Sequence, residues 1–308
     1  MAQIKNKLRI GILGTGAIGG VLAGLFWRED HDVLCVVKNA AVLAIEKGGI
    51  HIESPIFGSF VAHPKASVKL DDAVDVLFIT TKSPFLNNAL ESIDAKQVEN
   101  AVVVSLLNGV GHREVIRARL GARVAVGMIG MIEVAKGKDG IIRQLSRQNP
   151  HIDLASDGDI PEASLDKIAE VIRGVGISTS ILKTEAEVIW KKLVRLSAIA
   201  SLTASFQKTV GTIRSDPQLR KFLEEIVREG ALVALHEGVD INPDEVIRKI
   251  DSLPETLMTS LQRDVQAHTP SEVDSITGGV LRLAKLYGIP APAHEHAYGL
   301  IKKQSTVN

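Results

Sequence analysis

The chain has 308 residues, of which 45% are hydrophobic and 23% are charged, so it is long enough to form two domains with substantial cores. Its 36 Lys and Arg residues balance 36 Asp and Glu residues, and this balance argues against a nucleic-acid-binding protein, which normally carries a basic excess. Aromatic residues make up only 4% of the chain, which also argues against stacking platforms for single-stranded nucleic acid.

The cysteine count, the N-terminal sequence and the length of the apolar stretches indicate the cellular compartment of the protein. The one cysteine, Cys35, lies within an apolar run, so we predict neither a disulfide framework nor a metal site. The N-terminal sequence MAQIKNKLR leads into an apolar segment that glycine soon interrupts, which is unlike a signal peptide. The longest apolar stretch, Leu196 to Phe206, is too short to span a membrane. We therefore expect a cytoplasmic protein that does not bind membranes.

The first half of the chain alternates short apolar runs with helical patterns, which indicates βαβ units and a parallel sheet. The runs are nearly all apolar, as is typical of strands that helices cover on both faces. We expect a Rossmann-type, doubly wound parallel sheet. Its predicted strands are Arg9 to Leu13, Val33 to Val37, Val76 to Thr80, Val102 to Leu107 and Arg123 to Met128.

The pattern changes after the last of these predicted strands. Lys136 to Asp159 contains short β-like pieces, at Gly140 to Gln144 and His151 to Leu154, which predict an antiparallel extension of the sheet. After a last β-like piece at Ile177 to Leu182, helical patterns continue to the end. We predict a Rossmann-type domain over residues 1–183 and an all-α domain over residues 184–308.

Glycine, asparagine and proline residues at three places mark predicted helix ends and support the helical interpretation of the second domain. Gly238 suits the end of a helix, and Asn242 followed by Pro243 suits the start of the next one. Gly288 with Pro290 predicts the end of a further helix.

A glycine-rich loop follows the first predicted strand and opens a helical pattern from Ala17 to Phe26. This is the context in which GxGxxG binds a dinucleotide: the first glycine permits a tight turn, the second lets the backbone approach a pyrophosphate, and the third lets helix and strand pack closely. The alternative is a flexible loop without a ligand. We predict that the coenzyme contacts all six loop residues: Gly14, Thr15, Gly16, Ala17, Ile18 and Gly19.

The residue after the second strand indicates which coenzyme binds. An NAD site usually has Asp or Glu there to hold the ribose 2′-hydroxyl, whereas this chain has Lys38. A lysine favours the 2′-phosphate of NADP(H), although an ordinary solvated lysine is the alternative. Lys82, just after the strand that ends near Thr80, is a second candidate for the same phosphate pocket, and a surface lysine is again the alternative.

Short motifs along most of the chain carry a resemblance to a known family in their order and spacing. They are the Gly14 loop, Lys38, Lys82, Asn108-Gly109-Val110-Gly111, Trp190-Lys191-Lys192-Leu193, Ser260 and Ser271-Glu272-Val273-Asp274. Together they resemble the ketopantoate reductases (2-dehydropantoate 2-reductases). The resemblance implies an NADP-binding Rossmann domain joined to an all-α substrate and catalytic domain, and NADPH-dependent reduction of the 2-oxoacid 2-dehydropantoate to pantoate, a step toward pantothenate. The sequence leaves a homodimer open.

A lysine suits the chemistry that the resemblance implies. Hydride transfer to a ketone carbon builds negative charge on the oxygen, which an ammonium group can both stabilise and protonate. The resemblance assigns this role to Lys192. Because a helix turns about 100° per residue, only one of Lys191 and Lys192 should face the site. The alternative is that both are solvated.

Three other side chains are candidates by resemblance. Asn108 would be an active-site amide near the coenzyme and the lysine, unless it merely forms an Asn-Gly turn. Glu272 would bind the substrate hydroxyl, unless it only caps a helix in Thr269-Pro270-Ser271-Glu272. Ser260, on a helix predicted from Pro254 to His268, would bind the substrate carboxylate, with a surface serine as the alternative.

The sequence departs from this family on one helix face. The family commonly has asparagines four and eight residues after the lysine, where this chain has Leu196 and Ala200. Arg195, Ser197 and Ser201 are nearby, and we predict Arg195 and Ser197 as substitute substrate contacts. The departure favours, as alternatives, reduction of another branched and more apolar 2-oxoacid, or a non-catalytic NADP(H)-binding sensor.

Overall fold

The computed structural model describes residues 7–130, 132–158 and 160–305. Residues 1–6, on which part of the signal-peptide argument rests, and Asp159, the end of the predicted extension, lie outside the described residues. The chain divides into two compact units. The described residues of the first unit lie within Met1–Thr81, Phe85–Leu107 and His112–Glu185, and those of the second lie within Lys82–Pro84, Asn108–Gly111 and Ala186–Asn308.

The first unit contains an eight-stranded sheet in the order β12-β11-β8-β7-β6-β1-β2-β5. Six neighbouring strands, from β8 to β5, are parallel, and β11 joins them antiparallel to β8. The strands are β1 (Arg9–Leu13), β2 (Asp32–Val36), β5 (Lys65–Ser67), β6 (Val76–Ile79), β7 (Val102–Ser105), β8 (Arg123–Gly130), β11 (His151–Ala155) and β12 (Ser178–Ile181).

The central strands are buried because helices cover the sheet. All residues of β6 and β7 are buried, as the nearly continuous apolar runs predict. The helices of this unit are α1 (Ala17–Arg28), α2 (Asn39–Gly48), α3 (Leu86–Leu90), α4 (Ala95–Val98), α5 (His112–Leu120) and α6 (Glu162–Gly174). The predicted doubly wound α/β fold is confirmed, with strand ends that differ from the predictions by one or two residues.

A second, four-stranded sheet was not predicted. It comprises β3 (Ile50–Ser54), β4 (Gly58–Ala62), β9 (Val134–Lys136) and β10 (Ile142–Gln144), in the order β4-β3-β10-β9. The expected antiparallel extension is therefore right for β11 and wrong for β10, which pairs with β3 and β9 instead of the main sheet.

The second unit is helical, as predicted. Its helices are α7 (Glu185–Phe206, whose first residue belongs to the first unit), α8 (Val210–Ser215), α9 (Pro217–His236), α10 (Pro243–Asp251), α11 (Ser260–Gln266), α12 (Thr277–Leu286) and α13 (Pro292–Ser305). The Asn242 side chain caps α10 by accepting bonds from the Asp244 and Glu245 N–H groups. Across the described ranges, no helix has both the length and the apolar character that crossing a membrane requires.

Candidate active site

The glycine loop has the geometry that a dinucleotide requires. Gly14 has a φ of +92°, and a Cβ on Gly19 would lie 2.0 Å from the Gly14 carbonyl oxygen, so both positions need glycine. The Thr80 hydroxyl fixes the turn by donating to the Gly14 carbonyl oxygen at 2.6 Å. Gly16, which precedes α1, has nothing within 4 Å of its Cβ position and leaves room for a close ligand. The loop therefore fits a pyrophosphate at the N-terminus of α1, where Ala17 and Ile18 begin the helix without a side-chain cap.

Lys38 lies just before α2 and is exposed. Its ammonium nitrogen lies 5.3 Å from the centre of the Phe85 ring, a cation–π contact. Lys38 is also the N-cap residue of α2, and no side chain caps that helix. An exposed cation beside uncapped N–H groups is well suited to a phosphate.

The loop after β7 brings Asn108 to the segment that contains Glu272. Gly109 has a φ of +92°, and a Cβ there would lie 2.2 Å from the Ser275 carbonyl oxygen. The Val110 N–H donates to the same oxygen at 3.1 Å. Glycine is therefore required for this close approach, and the Asn-Gly pair is more than a simple turn.

Asn108 connects Lys192 with Glu272. The Lys192 ammonium donates to Asn108 Oδ1 at 2.8 Å, and Asn108 Nδ2 donates to Glu272 Oε2 at 2.9 Å. Only this orientation of the amide satisfies both neighbours, because the ammonium can only donate and the carboxylate can only accept. The Ser83 N–H lies 3.4 Å from the other carboxylate oxygen of Glu272. We call Lys192, Asn108 and Glu272 the catalytic cluster, because all three are predicted catalytic residues.

Burial perturbs both charged members of the catalytic cluster. Desolvation, with a smaller contribution from the positive charge of Arg195, lowers the pKa of Lys192 to about 8 against the opposing effect of Glu272. Glu272 is 7% exposed, and its burial raises the pKa of its carboxyl group despite the bonds from Asn108 and Ser83. Lys192 is therefore poised to exchange a proton near neutral pH.

The structure distinguishes between the two neighbouring lysines of α7. Lys191 is exposed and forms an ion pair with Glu187 at 2.6 Å, whereas Lys192 is half-buried and belongs to the catalytic cluster. The capping alternative for Glu272 is wrong, because α12 begins only at Thr277 and the Glu272 carboxylate binds Asn108 and Ser83.

The remaining predicted site residues have different surroundings. Ser197 is 0% exposed, and its hydroxyl donates to the Val194 carbonyl oxygen and lies 3.3 Å from His294 Nε2. Ser260 is exposed and begins α11, which starts there and not at Pro254. Arg195 is half-buried on α7, where desolvation lowers its pKa.

Lys82 has a partner that was not predicted: its ammonium nitrogen lies 2.6 Å from Asp264 Oδ1 on α11.

Two serines near the catalytic cluster were also missed. The hydroxyl oxygens of Ser83 and Ser275 lie 2.9 Å apart. The Ser83 N–H contacts the Glu272 carboxylate, and the Ser275 carbonyl oxygen accepts a hydrogen bond from the Val110 N–H in the Asn108 loop. Their adjacency to Lys82 and to the motif of Glu272 was the only sequence signal.

A doubly wound sheet with this glycine loop, together with the lysine, amide and carboxylate of the catalytic cluster, defines a nicotinamide-dependent oxidoreductase. The chain belongs to the ketopantoate reductase family. Residues 10–156 match the family described as Ketopantoate reductase PanE/ApbA, and residues 186–305 match its C-terminal part.

Relatives along nearly the whole chain agree with this membership. The 2-dehydropantoate 2-reductase of Pyrococcus horikoshii is 29% identical over 306 residues, covering 97% of this chain and 98% of the relative. An uncharacterized oxidoreductase of Bacillus subtilis, YkpB, is 25% identical, covering 93% of this chain and 95% of the relative.

Solved structures share the fold. The ketopantoate reductase of Ralstonia eutropha superposes with a TM-score of 0.86 at 23% identity, covering 96% of this chain and 98% of that one. D-mandelate dehydrogenase, solved with NADH and anilino(oxo)acetate, superposes with a TM-score of 0.88 at 22% identity and the same coverage. One fold thus accommodates proteins named for different 2-hydroxyacid or 2-oxoacid substrates.

Proposed function

We propose that the protein uses NADPH to reduce the ketone of 2-dehydropantoate to the hydroxyl of pantoate. The first unit binds the coenzyme, and the second supplies the catalytic cluster and the substrate contacts. The observation that carries this proposal is the contact of Lys192 with Asn108 and of Asn108 with Glu272. Such a reaction serves pantothenate synthesis, and a reducing compartment such as the cytoplasm suits the free, buried thiol of Cys35.

When bound, the reduced nicotinamide supplies a hydride to the ketone carbon. Lys192 donates the proton that the carbonyl oxygen requires, because its ammonium is mostly charged at pH 7 with a pKa of about 8. Asn108 orients this ammonium through its side-chain oxygen. Glu272 accepts a hydrogen bond from Asn108 and can accept a second one from the hydroxyl of the substrate.

The preference for NADPH rests on Lys38 and the uncapped start of α2. Replacing Lys38 with Ala should weaken NADPH binding about 10-fold to 100-fold through loss of a charge-assisted bond to the 2′-phosphate, and should leave NADH binding nearly unchanged. Lys47→Ala is the matched control, because Lys47 is an exposed lysine in the last turn of the same helix. Equal affinities of the wild-type protein for NADPH and NADH would contradict the preference.

A more apolar 2-oxoacid is the second candidate substrate. Leu196 and Ala200 pack in an apolar cluster that includes Leu261, Val265 and Val273, where the family commonly has asparagines. The likeness in fold to D-mandelate dehydrogenase fits such a substrate as well.

Oxidation of NADPH, followed with a panel of 2-oxoacids, tests both candidates together. The highest kcat/KM with 2-dehydropantoate would support the first proposal, and a preference for a branched or aromatic 2-oxoacid would support the second. NADPH binding without turnover of any 2-oxoacid would favour the non-catalytic sensor.

A further inference from the structure

Arg195 is a half-buried cation without a partner among the residues that the structure describes. It lies on α7, three residues after Lys192, so the two side chains emerge from one face of the helix. In the part of the chain that the structure describes, no hydrogen bond or ion pair involves its guanidinium, although the group has five N–H donors. Burial of a charged group without a counter-ion is unfavourable. Because burial disfavours the charged form, it lowers the pKa of the Arg195 guanidinium.

The charges around Lys192 leave an excess of one positive charge. The two charged side chains that shift the pKa of Lys192 are Glu272, which is negative, and Arg195, which is positive. Lys82 adds no free charge, because Asp264 pairs with it. One bound monoanion would therefore neutralise the group formed by Lys192, Arg195 and Glu272.

We propose that Arg195 binds the carboxylate of the substrate and restricts the site to 2-oxoacids with a free carboxylate. This inference rests on the proposed reductase function and names the group that anchors its substrate. The carboxylate and ketone carbons of a 2-oxoacid are bonded to each other. Two cations one helical turn apart can therefore act on both groups, with Arg195 on the carboxylate and Lys192 on the ketone oxygen.

A guanidinium is well matched to this role, because it can donate two parallel hydrogen bonds to a carboxylate. The bound carboxylate also shields Lys192 from the positive charge of Arg195. Substrate binding thereby favours the charged form of Lys192, which is the form that donates the proton. Arg195 thus supplies both the affinity for the acid and part of the control over protonation.

The test compares Arg195→Met and Arg195→Gln with Lys191→Met, which removes one positive charge at an exposed position of the same helix. Each variant is assayed with the preferred 2-oxoacid and with its methyl ester, and oxamate binding is measured by calorimetry in the presence of NADPH. We expect KM for the acid and Kd for oxamate to rise about 10-fold to 100-fold in both Arg195 variants. NADPH affinity should not change, and the preference for acid over ester should disappear. Lys191→Met should behave as the wild type.

The pH profile adds a readout that a purely structural role would not change. Loss of the positive charge of Arg195 should raise the kinetic pKa of Lys192 above its wild-type value in both variants. A folded Arg195 variant with wild-type KM, oxamate affinity and acid preference would overturn the inference while leaving the proposed function intact. A wild-type protein that reduces no 2-oxoacid would overturn the proposed function instead, and oxamate binding would then still report whether Arg195 holds a carboxylate.

Discussion

Lys192 should make the stability of the protein depend on pH in a way that can be measured without substrate. Burial lowers its pKa from 10.5 to about 8 in the folded protein. Because each pKa unit corresponds to about 1.4 kcal/mol, the charged ammonium destabilises the folded state by about 3 kcal/mol. The full destabilisation applies below about pH 8, where Lys192 is charged in both the folded and the unfolded protein. As pH rises from about 8 to 10.5, the folded protein releases the proton before the unfolded chain does, so stability increases.

Lys192→Met removes the titrating group and keeps much of its apolar stem. Relative to this variant, the wild-type protein should gain about 2 to 3 kcal/mol of unfolding free energy between about pH 7 and pH 10. The difference between the two proteins cancels the titration of groups that both share. Lys191→Met is the control, and its unfolding free energy should run parallel to that of the wild type within about 0.5 kcal/mol, because Lys191 is exposed.

Urea denaturation followed by circular dichroism, repeated across this pH range, measures these differences. Parallel curves for the wild type and Lys192→Met would refute the argument that Lys192 is desolvated. The kinetic counterpart is kcat/KM, which reports the free enzyme and should fall as pH rises through about 8, because the proton donor is lost.

Three further predictions concern other positions. Glu272→Gln should fold with a near-wild-type Tm while its kcat/KM falls about 10-fold to 1,000-fold, measured by NADPH oxidation, because the carboxylate and not a helix cap is lost. Gly19→Ala should lower Tm and abolish NADPH binding, because its Cβ would lie 2.0 Å from the Gly14 carbonyl oxygen. Gly16→Ala should keep its Tm, because nothing lies within 4 Å of that Cβ position, and should lose only NADPH affinity, measured by fluorescence titration. Cys35 should react with a thiol reagent only on unfolding, since burial raises its pKa to about 12; rapid reaction in the native protein would contradict this.

The main sheet could be predicted from the sequence because its strands are buried on both faces. Runs such as those of β6 and β7 contain almost no polar residue, and that pattern distinguishes them from surface strands. The second sheet could not be predicted in the same way. Its strands have three to five residues, and Ile142 of β10 pairs with Ile52 of β3, far away in the sequence. No local pattern specifies such a partner.

The resemblance to the family pointed to Lys192, Asn108 and Glu272, because each lies in one of its short motifs, and their catalytic roles stay predictions. The positive φ of Gly109 explains why glycine follows Asn108. Ser83 and Ser275 were not predicted, because they contact the cluster and its loop through a backbone N–H and a backbone carbonyl group. Nearly every residue has these groups, so the residue type gives no signal. The start of α11 was misplaced for a related reason: Thr259 caps the helix with a side-chain bond to the Gln262 N–H, and the same residue type is common in loops.

Apolar packing on α7 accounts for part of the departure from the family pattern. Ala200 is 1% exposed and belongs to the apolar cluster with Val273, the residue next to Glu272. An asparagine at position 200 would bury an amide among apolar side chains, at a cost of about 1 to 3 kcal/mol for unpaired polar atoms. Leu196 is only half-buried, so position 196 is the better place to restore an amide. Leu196 and Ala200 offer no hydrogen bond to a carboxylate, which is consistent with the carboxylate contact that we propose for Arg195.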